Sequence, residues 1–386
     1  MNKIPQIFSW SPTLTDHQSH TYSAIGKIEN IDILCNLTKR SHNKRIAQGW
    51  KDSDVENVKR FYIPRLGFFF HALHTLLKNK EAIHIFASPF EDKRLIPVII
   101  LAVRLNFKVY LLAEPYSTVS DRYLDGDVNY GDHLKRYLRP VLYKLYFRCI
   151  GKRLRGIFAI SKLAKAQFIA SGVDKNKIIP FGYFVPKKTL NKQRYSIEDK
   201  KLRLIFVGSL IERKNIGYLI DTIIRANNLG VNVQLDVYGH GEAINYNFSE
   251  NYLRYKGVIP FGNAQDIISD YDLLVLPSKF DGWGVVVNES ILAGVPVVCS
   301  DKVGAGTLIE KFGAGKLFLL GDKQNLISLL GELVDDIDLR WEMRDACVQA
   351  GREISPQAAA MYFVAALKAS ISDTAIPKSP WYISND

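Results

Sequence analysis

A chain of 386 residues, 47% hydrophobic and 23% charged, has ordinary globular composition and is too long for one core, which points to two domains of roughly 150–200 residues and excludes extensive disorder. Cys35, Cys149, Cys299 and Cys347 lie far apart without a CxxC pair, no apolar run reaches ~18 residues, and the N-terminus carries no signal-peptide pattern; the expectation is a cytoplasmic protein with reduced thiols, without a zinc framework or a membrane span. The net charge of +12 is uneven: residues 1–200 hold 34 Lys/Arg against 17 Asp/Glu, residues 201–386 hold 17 against 22, so an anionic partner, nucleic acid or a membrane surface, is expected for the first half only.

Residues 4–10 read as a first strand, followed by a loop over 11–18 that carries His17 and a helix over about 19–28. Residues 31–34 form a second short strand, and 39–59 a polar stretch of loop and helix edge. The helix predicted over 66–77 bears Phe68, Phe69 and Phe70, with His71 and His74 on one face; without a third ligand nearby, solvated histidines account for that pair better than a metal. A strand over 83–86, a helix over 96–105 with Pro97 in its first turn, and a strand over 109–113 follow. The last of these ends in Glu114, at the end of the sheet where open α/β folds bind ligands. Asp125-Gly126-Asp127 is a turn-forming triplet or a carboxylate pair for a divalent cation.

Residues 134–155 contain no acid. Leu134, Leu138, Val141, Leu142, Leu145 and Cys149 recur at helical spacing among Arg136, Arg139, Lys144, Arg148, Lys152 and Arg155. Such a basic amphipathic helix, with its tyrosines, fits an anionic membrane surface; the alternative is a core helix with a solvated basic face. A strand over 156–160, a helix over 162–170 and a strand over 178–182 complete the first half, and the polar, lysine-rich 187–201 reads as a linker.

The second half opens with a buried-type strand over 202–207 and the loop Gly208-Ser209-Leu210-Ile211-Glu212-Arg213-Lys214. A strand over 234–238 ends in Gly239-His240-Gly241; a strand over 255–259 holds Gly257 and Val258; a helix spans 264–271. The strand over 273–276 runs into PSKFDGWGVVVNESILAG, residues 277–294. Asp281 sits on a tight loop and Glu289, eight positions on, in the first turn of a helix, while Gly282 and Gly284 allow close backbone approach to an anion. A strand over 295–300 and helices over 325–334, 339–351 and 356–370 follow, with a loosely held tail over 373–386. Neither Gly304–Gly306 nor Gly313–Lys316 completes a dinucleotide or P-loop motif.

Residues 277–294 resemble the E-x7-E signature of the retaining family-4 glycosyltransferases, with Asp281 in place of the first Glu, and Gly294-Val295-Pro296-Val297-Val298 also matches that pattern; the likeness covers most of 200–320. The resemblance implies an α/β, GT-B fold: two Rossmann-like doubly wound domains facing across a cleft. These would be an acceptor domain over 1–186, a linker over 187–201, a nucleotide-sugar domain over 202–355, and a terminal helix and tail over 356–386 that cross back. In relatives the phosphate loop is Gly-Arg-Leu with a Lys five residues after the Arg. Lys214 matches that Lys, Ser209 replaces the Arg after Gly208, and Arg213 supplies the missing charge. Together they would stabilise a departing diphosphate without a metal ion or cofactor.

The same resemblance gives Glu289 the ribose of a UDP- or GDP-sugar, Asp281 with Gly282, Trp283 and Gly284 the sugar, and Gly239 and Val258 the base side. On the acceptor side His17 replaces a glycine-rich loop. Glu114 stands where many relatives have a His, to orient the acceptor hydroxyl or to cap a turn. The expected acceptor is a saccharide, lipid-linked, at the cytoplasmic face of a membrane during cell-envelope polysaccharide synthesis. The alternatives are a sugar-nucleotide epimerase or phosphorylase of the same fold, or a basic nucleic-acid-binding protein, against which stands the absence of any nucleic-acid module.

Overall fold

The computed structural model of the protein describes residues 4–39, 54–117, 130–190 and 201–383, with side chains for all of these but 130–136. The Asp125–Asp127 triplet, most of the polar stretch after residue 39 and most of the linker lie outside them. The chain forms two compact units: Met1–Tyr116, Leu134–Pro186 and Ser355–Pro380 make unit 1; Ser117–His133, Lys187–Ile354 and Trp381–Asp386 make unit 2.

Unit 1 is built from β1 (Ile7–Ser11), α1 (Asp16–Glu29), β2 (Ile33–Leu37), β3 (Val58–Tyr62), α2 (Phe68–Lys78), β4 (Ile83–Phe86), α3 (Leu95–Arg104), β5 (Lys108–Ala113), α4 (Tyr130–Ile150), β6 (Gly156–Ile160), α5 (Ser161–Ala170) and β7 (Ile178–Phe181). Its seven strands are all parallel, in the order β3-β2-β1-β4-β5-β6-β7. The central strands are buried almost throughout because helices cover both faces of a parallel sheet. β3, VKRFY, begins at the end of the stretch the sequence reads as loop and helix edge and runs beyond it. It is an edge strand, half open to solvent, and so carries no apolar run.

α1 begins three residues earlier than expected. Thr15 caps it in a box with Gln18, which puts His17 inside the first helical turn and not in a loop. α4 packs its aromatic residues, and not its leucines, against the core. Tyr143, Tyr146, Phe147 and Ile150 point into the core, while Tyr137, Leu138, Val141, Leu142 and Leu145 are exposed beside Lys144 and Arg148. The inward face is aromatic, and the leucine stripe faces outward.

Unit 2 comprises β8 (Leu202–Val207), α6 (Ile216–Asn228), β9 (Val233–Tyr238), β10 (Leu253–Tyr255), α7 (Ala264–Ile268), β11 (Leu273–Leu276), α8 (Val285–Leu292), β12 (Val297–Ser300), α9 (Gly306–Phe312), β13 (Gly315–Phe318), α10 (Lys323–Asp335) and α11 (Ile337–Glu353). Its six parallel strands run β10-β9-β8-β11-β12-β13. The strand expected over 255–259 is displaced: β10 ends at Tyr255 and Val258 lies on the exposed connection beyond it. In each sheet the strand order reverses once, between β1 and β4 and between β8 and β11. Diverging loops open a crevice at the carboxyl ends of such a strand pair.

The last helix, α12 (Pro356–Ile371), starts with Ser355 capping Ala358 N and Pro356 at its first position. It packs on α1 within unit 1, and Phe363 stacks on Phe158 at 4.0 Å between ring centroids. The tail is held more firmly than expected. Trp381 is fully buried, its indole N–H donates to Glu353 O at 3.0 Å, and its carbonyl accepts from Thr307.

His84 on β4 shows how tightly unit 1 is set. Its Nδ1 accepts from Trp10 Nε1 at 3.2 Å and its Nε2 faces Asn79 O at 3.1 Å, which fixes a neutral tautomer. Burial lowers its pKa to about 4, with the Asn79 carbonyl pulling the other way. A group whose pKa is depressed by folding favours the folded state above its unfolded pKa and loses that advantage as pH falls. The urea midpoint should therefore drop between pH 6.5 and about 4, by an amount equivalent to about 3 kcal/mol for this residue. The His84→Phe variant should show a flatter profile across that window, and an unchanged slope would remove His84 as the cause.

Candidate functional site

Three loops at the carboxyl edge of the unit 2 sheet meet beside its switch point. The loop after β8 is clamped to the turn after β9: Gly208 N donates to Tyr238 O and Leu210 N to His240 O. A Cβ at Gly239 would lie 1.8 Å from Gly208 O, so only glycine fits there. Beyond this clamp the turn Glu212–Lys214 presents Arg213 and Lys214. Asn215 Nδ2 donates to Pro277 O at 3.1 Å, and Lys279 N to Arg213 O at 2.8 Å, so the β8 and β11 loops are joined across the switch point. The loop after β12 braces them in turn, with Asp281 N on Lys302 O, Gly304 N on Asp281 O and Ala305 N on Trp283 O.

At the centre is Asp281. Lys214 Nζ pairs with its Oδ2, and Arg213 Nη1 stands 3.4 Å from Oδ1 while donating to Phe280 O at 2.9 Å. The Asp281 side chain is only 11% exposed. Burial alone would raise its pKa, but the charges and hydrogen bonds of Lys214 and Arg213 outweigh burial and hold it below the ordinary carboxylate range. Two cations against one carboxylate leave the cluster with an excess of positive charge, suited to an anionic ligand.

Gly284, at φ +90°, turns the chain into α8; a Cβ there would sit 3.1 Å from Val303 and 3.5 Å from the Asp281 carboxylate. Trp283 has a different place from the one its glycine neighbours suggest. Its indole is 2% exposed and donates to Asn288 Oδ1 at 2.8 Å, so the side chain belongs to the core and only its backbone lines the loop. Glu289 lies half-buried in the second turn of α8, not the first. Ser209 is half-buried on the β8 loop, and Gly239 N donates to Gly257 O, which ties the Val258 segment to the β9 turn.

In unit 1, His17 and Glu114 come together on a residue that no local sequence pattern singles out. The His17 ring lies 4.2 Å from that of Tyr183, a buried phenol whose pKa is raised well above its ordinary value by burial first and then by the Glu114 and Glu91 carboxylates. Nothing in Gly182-Tyr183-Phe184 signals this, because the partners come from other strands. His71 and His74 are exposed on α2, and no cluster of three or more His, Cys, Asp or Glu suited to a metal occurs among the described residues.

Two parallel, doubly wound sheets with a cation pair at the second switch point define a Rossmann-like α/β protein, and solved structures of the same architecture place it in the GT-B fold. HepE of Anabaena in complex with UDP matches with a TM-score of 0.67 at 14% identity, covering 94% of this chain and 100% of that one. WaaG, a glycosyltransferase involved in lipopolysaccharide biosynthesis, matches with a TM-score of 0.57 at 14% identity, covering 92% and 98%. Residues 201–336 match the family model Glycosyl transferases group 1.

Relatives by sequence include the Escherichia coli UDP-Gal:alpha-D-GlcNAc-diphosphoundecaprenol alpha-1,3-galactosyltransferase, 27% identical over 45% of this chain and 46% of its own length. The capsular polysaccharide biosynthesis glycosyltransferase CapM of Staphylococcus aureus is 27% identical over 48% and 53%. The chain thus spans about half the length of these two relatives.

The Asp281→Asn substitution would leave two largely buried cations facing a neutral amide. It should lower the free energy of unfolding by about 3 kcal/mol, read as a lower urea midpoint at neutral pH. An unchanged midpoint would show that the ion pairs add nothing to the unliganded fold.

Proposed function

We propose that this protein is a retaining, metal-independent glycosyltransferase that moves a sugar from a nucleotide-sugar donor to a hydroxyl of a lipid-linked saccharide in cell-envelope polysaccharide assembly. The observation that carries this reading is the Arg213–Asp281–Lys214 cluster at the β8/β11 switch point. Breaking the bond between a sugar and a nucleoside diphosphate adds negative charge to the leaving phosphate. Lys214 and Arg213 meet that charge where it develops, which is a form of transition-state stabilisation that needs no metal ion. Asp281 holds both cations in place before the donor arrives, so little reorganisation accompanies the reaction. Its remaining acceptor capacity and the Gly282–Gly284 backbone would receive sugar hydroxyls.

In this reading Glu289 takes the ribose, and Gly208, Ser209, Gly239 and Val258 line the nucleotide side. UDP is the first choice of nucleotide, because the E. coli relative is named for UDP-Gal and HepE was crystallised with UDP. The relatives' names, from diphosphoundecaprenol-linked to capsular saccharides, support a lipid-linked acceptor.

The exposed stripe Leu138, Val141, Leu142 and Leu145 on α4, with Lys144 and Arg148 beside it, suits a peripheral contact with the anionic cytoplasmic leaflet. Each cation near such a surface contributes about 1 kcal/mol at low salt.

UDP should raise the melting temperature of the wild-type protein, and the Lys214→Ala/Glu289→Ala double variant should lose that response and at least about 100-fold of its sugar-transfer rate. Unchanged transfer by that variant would refute the assignment. In a separate flotation experiment with phosphatidylglycerol-containing vesicles, the wild type should co-float at low salt and be released by 0.5 M NaCl (a concentration chosen to cut the Debye length to about 4 Å). The Leu142→Asp/Leu145→Asp variant should stay at the bottom at either salt, and equal flotation of both proteins would remove the membrane contact.

A further inference from the structure

The tail after α12 changes character abruptly. None of residues 371–380 is buried, yet Trp381 and Tyr382, which follow directly, both are. The chain leaves unit 2 after Ile354, builds α12 in unit 1 and returns at Trp381, whose hydrogen bonds to Glu353 and Thr307 lie within unit 2. The indole N–H reaches the carbonyl of the last residue of α11, a group the helix cannot satisfy by itself. The Trp381 carbonyl accepts from Thr307 Oγ1 at 3.1 Å, and Thr307 is the second residue of α9.

That last contact departs from the usual habit of a helical threonine, whose hydroxyl bonds back to a carbonyl one turn earlier. Thr21, Thr75 and Thr222 do so here, on His17 O, His71 O and Tyr218 O. Thr307 is buried and turns its hydroxyl to the tail instead. Just ahead of it lies the brace of the Arg213–Asp281–Lys214 cluster. Asp281 N donates to Lys302 O at 3.0 Å, Gly304 N to Asp281 O at 3.0 Å, and Ala305 N to Trp283 O at 2.7 Å, so residues 302–305 fix the Asp281 peptide on both sides. Gly306, between Ala305 and Thr307, is itself packed: a Cβ there would lie 3.2 Å from Leu317. A displacement of Thr307 therefore has little slack to absorb it before it reaches Asp281.

We propose that Trp381 is a positioning residue for the donor cluster. By anchoring the tail it fastens Thr307 and the 302–305 brace, and so holds the Asp281 carboxylate where it orders Lys214 and Arg213. The assignment rests on the donor reading of that cluster and concerns unit 2 alone.

The test uses the full chain, with hydrogen exchange over residues 302–306 read by mass spectrometry against the interior strand β9 as reference, and UDP affinity read by calorimetry. Trp381→Ala should speed exchange at 302–306 about ten-fold relative to β9 and weaken UDP binding about five-fold. Thr307→Val keeps the side-chain shape and removes only the hydroxyl, so it decides the matter should Trp381→Ala fail to fold; it should speed the same exchange about five-fold and weaken UDP binding about three-fold. The double variant should match Trp381→Ala within about two-fold, because the two groups act in series. Unchanged exchange at 302–306 in Thr307→Val would overturn the proposal, and so would an equal acceleration in β9, which marks a general loss of stability. UDP affinity within about two-fold of wild type in a variant whose brace has loosened would overturn it as well. Failure of the wild type to bind UDP would instead strike the donor reading, and the exchange measurement would still decide whether Trp381 holds Asp281.

Discussion

A buried carboxylate shared by two cations governs the organisation of unit 2. Removing Asp281, Lys214 and Arg213 from water is costly, and only their mutual pairing repays it. The partners come from loops 67 and 68 residues apart in sequence. The arrangement therefore needs both loops anchored before the charges meet. The Asn215–Pro277 and Lys279–Arg213 hydrogen bonds supply that anchoring, and the Lys302–Ala305 segment closes the third side. Steric constraint adds to it, since Gly239 leaves no room for a side chain against Gly208. A cluster held this way is rigid before any ligand arrives, which is what stabilisation of a developing charge requires.

The two sheets solve a common problem with different chemistry. Each reverses strand order once and each gathers functional candidates beside the reversal. Unit 2 assembles a cationic cluster there. Unit 1 assembles an aromatic and acidic one, His17, Tyr183 and Glu114, with the Asp92 carboxylate close to the same edge but held by Thr38 and Arg94. The side chains thus make the two edges chemically different, one dominated by a cation pair and the other by aromatic rings and carboxylates.

Much of the fold is legible in the residues themselves. Strands 156–160, 202–207 and 273–276 stand out as short apolar runs because both faces of a parallel sheet are covered. Edge elements are harder: β3 carries Lys59 and Arg60, and β13 is hidden among glycines that fall short of a phosphate loop. For the site, pattern and spacing single out Arg213, Lys214, Asp281 and Glu289. What they do not reveal is that Asp281 is the internal counter-ion of the other two. Trp283 misleads because its glycine neighbours mark a ligand loop while its own indole turns inward to Asn288. Tyr183 is invisible to any local reading, since its meaning comes from residues on three other connections.

The path of the backbone carries one more consequence. Unit 1 takes its final helix from beyond unit 2, with Phe363 stacked on Phe158, and unit 2 then takes back Trp381. Neither half is an unbroken stretch of polypeptide. A gene cut at the lysine-rich segment would yield one fragment lacking its closing helix and another burdened with a homeless one. During synthesis, the amino-terminal sheet cannot complete its packing until α12, which follows the main body of unit 2, has been made.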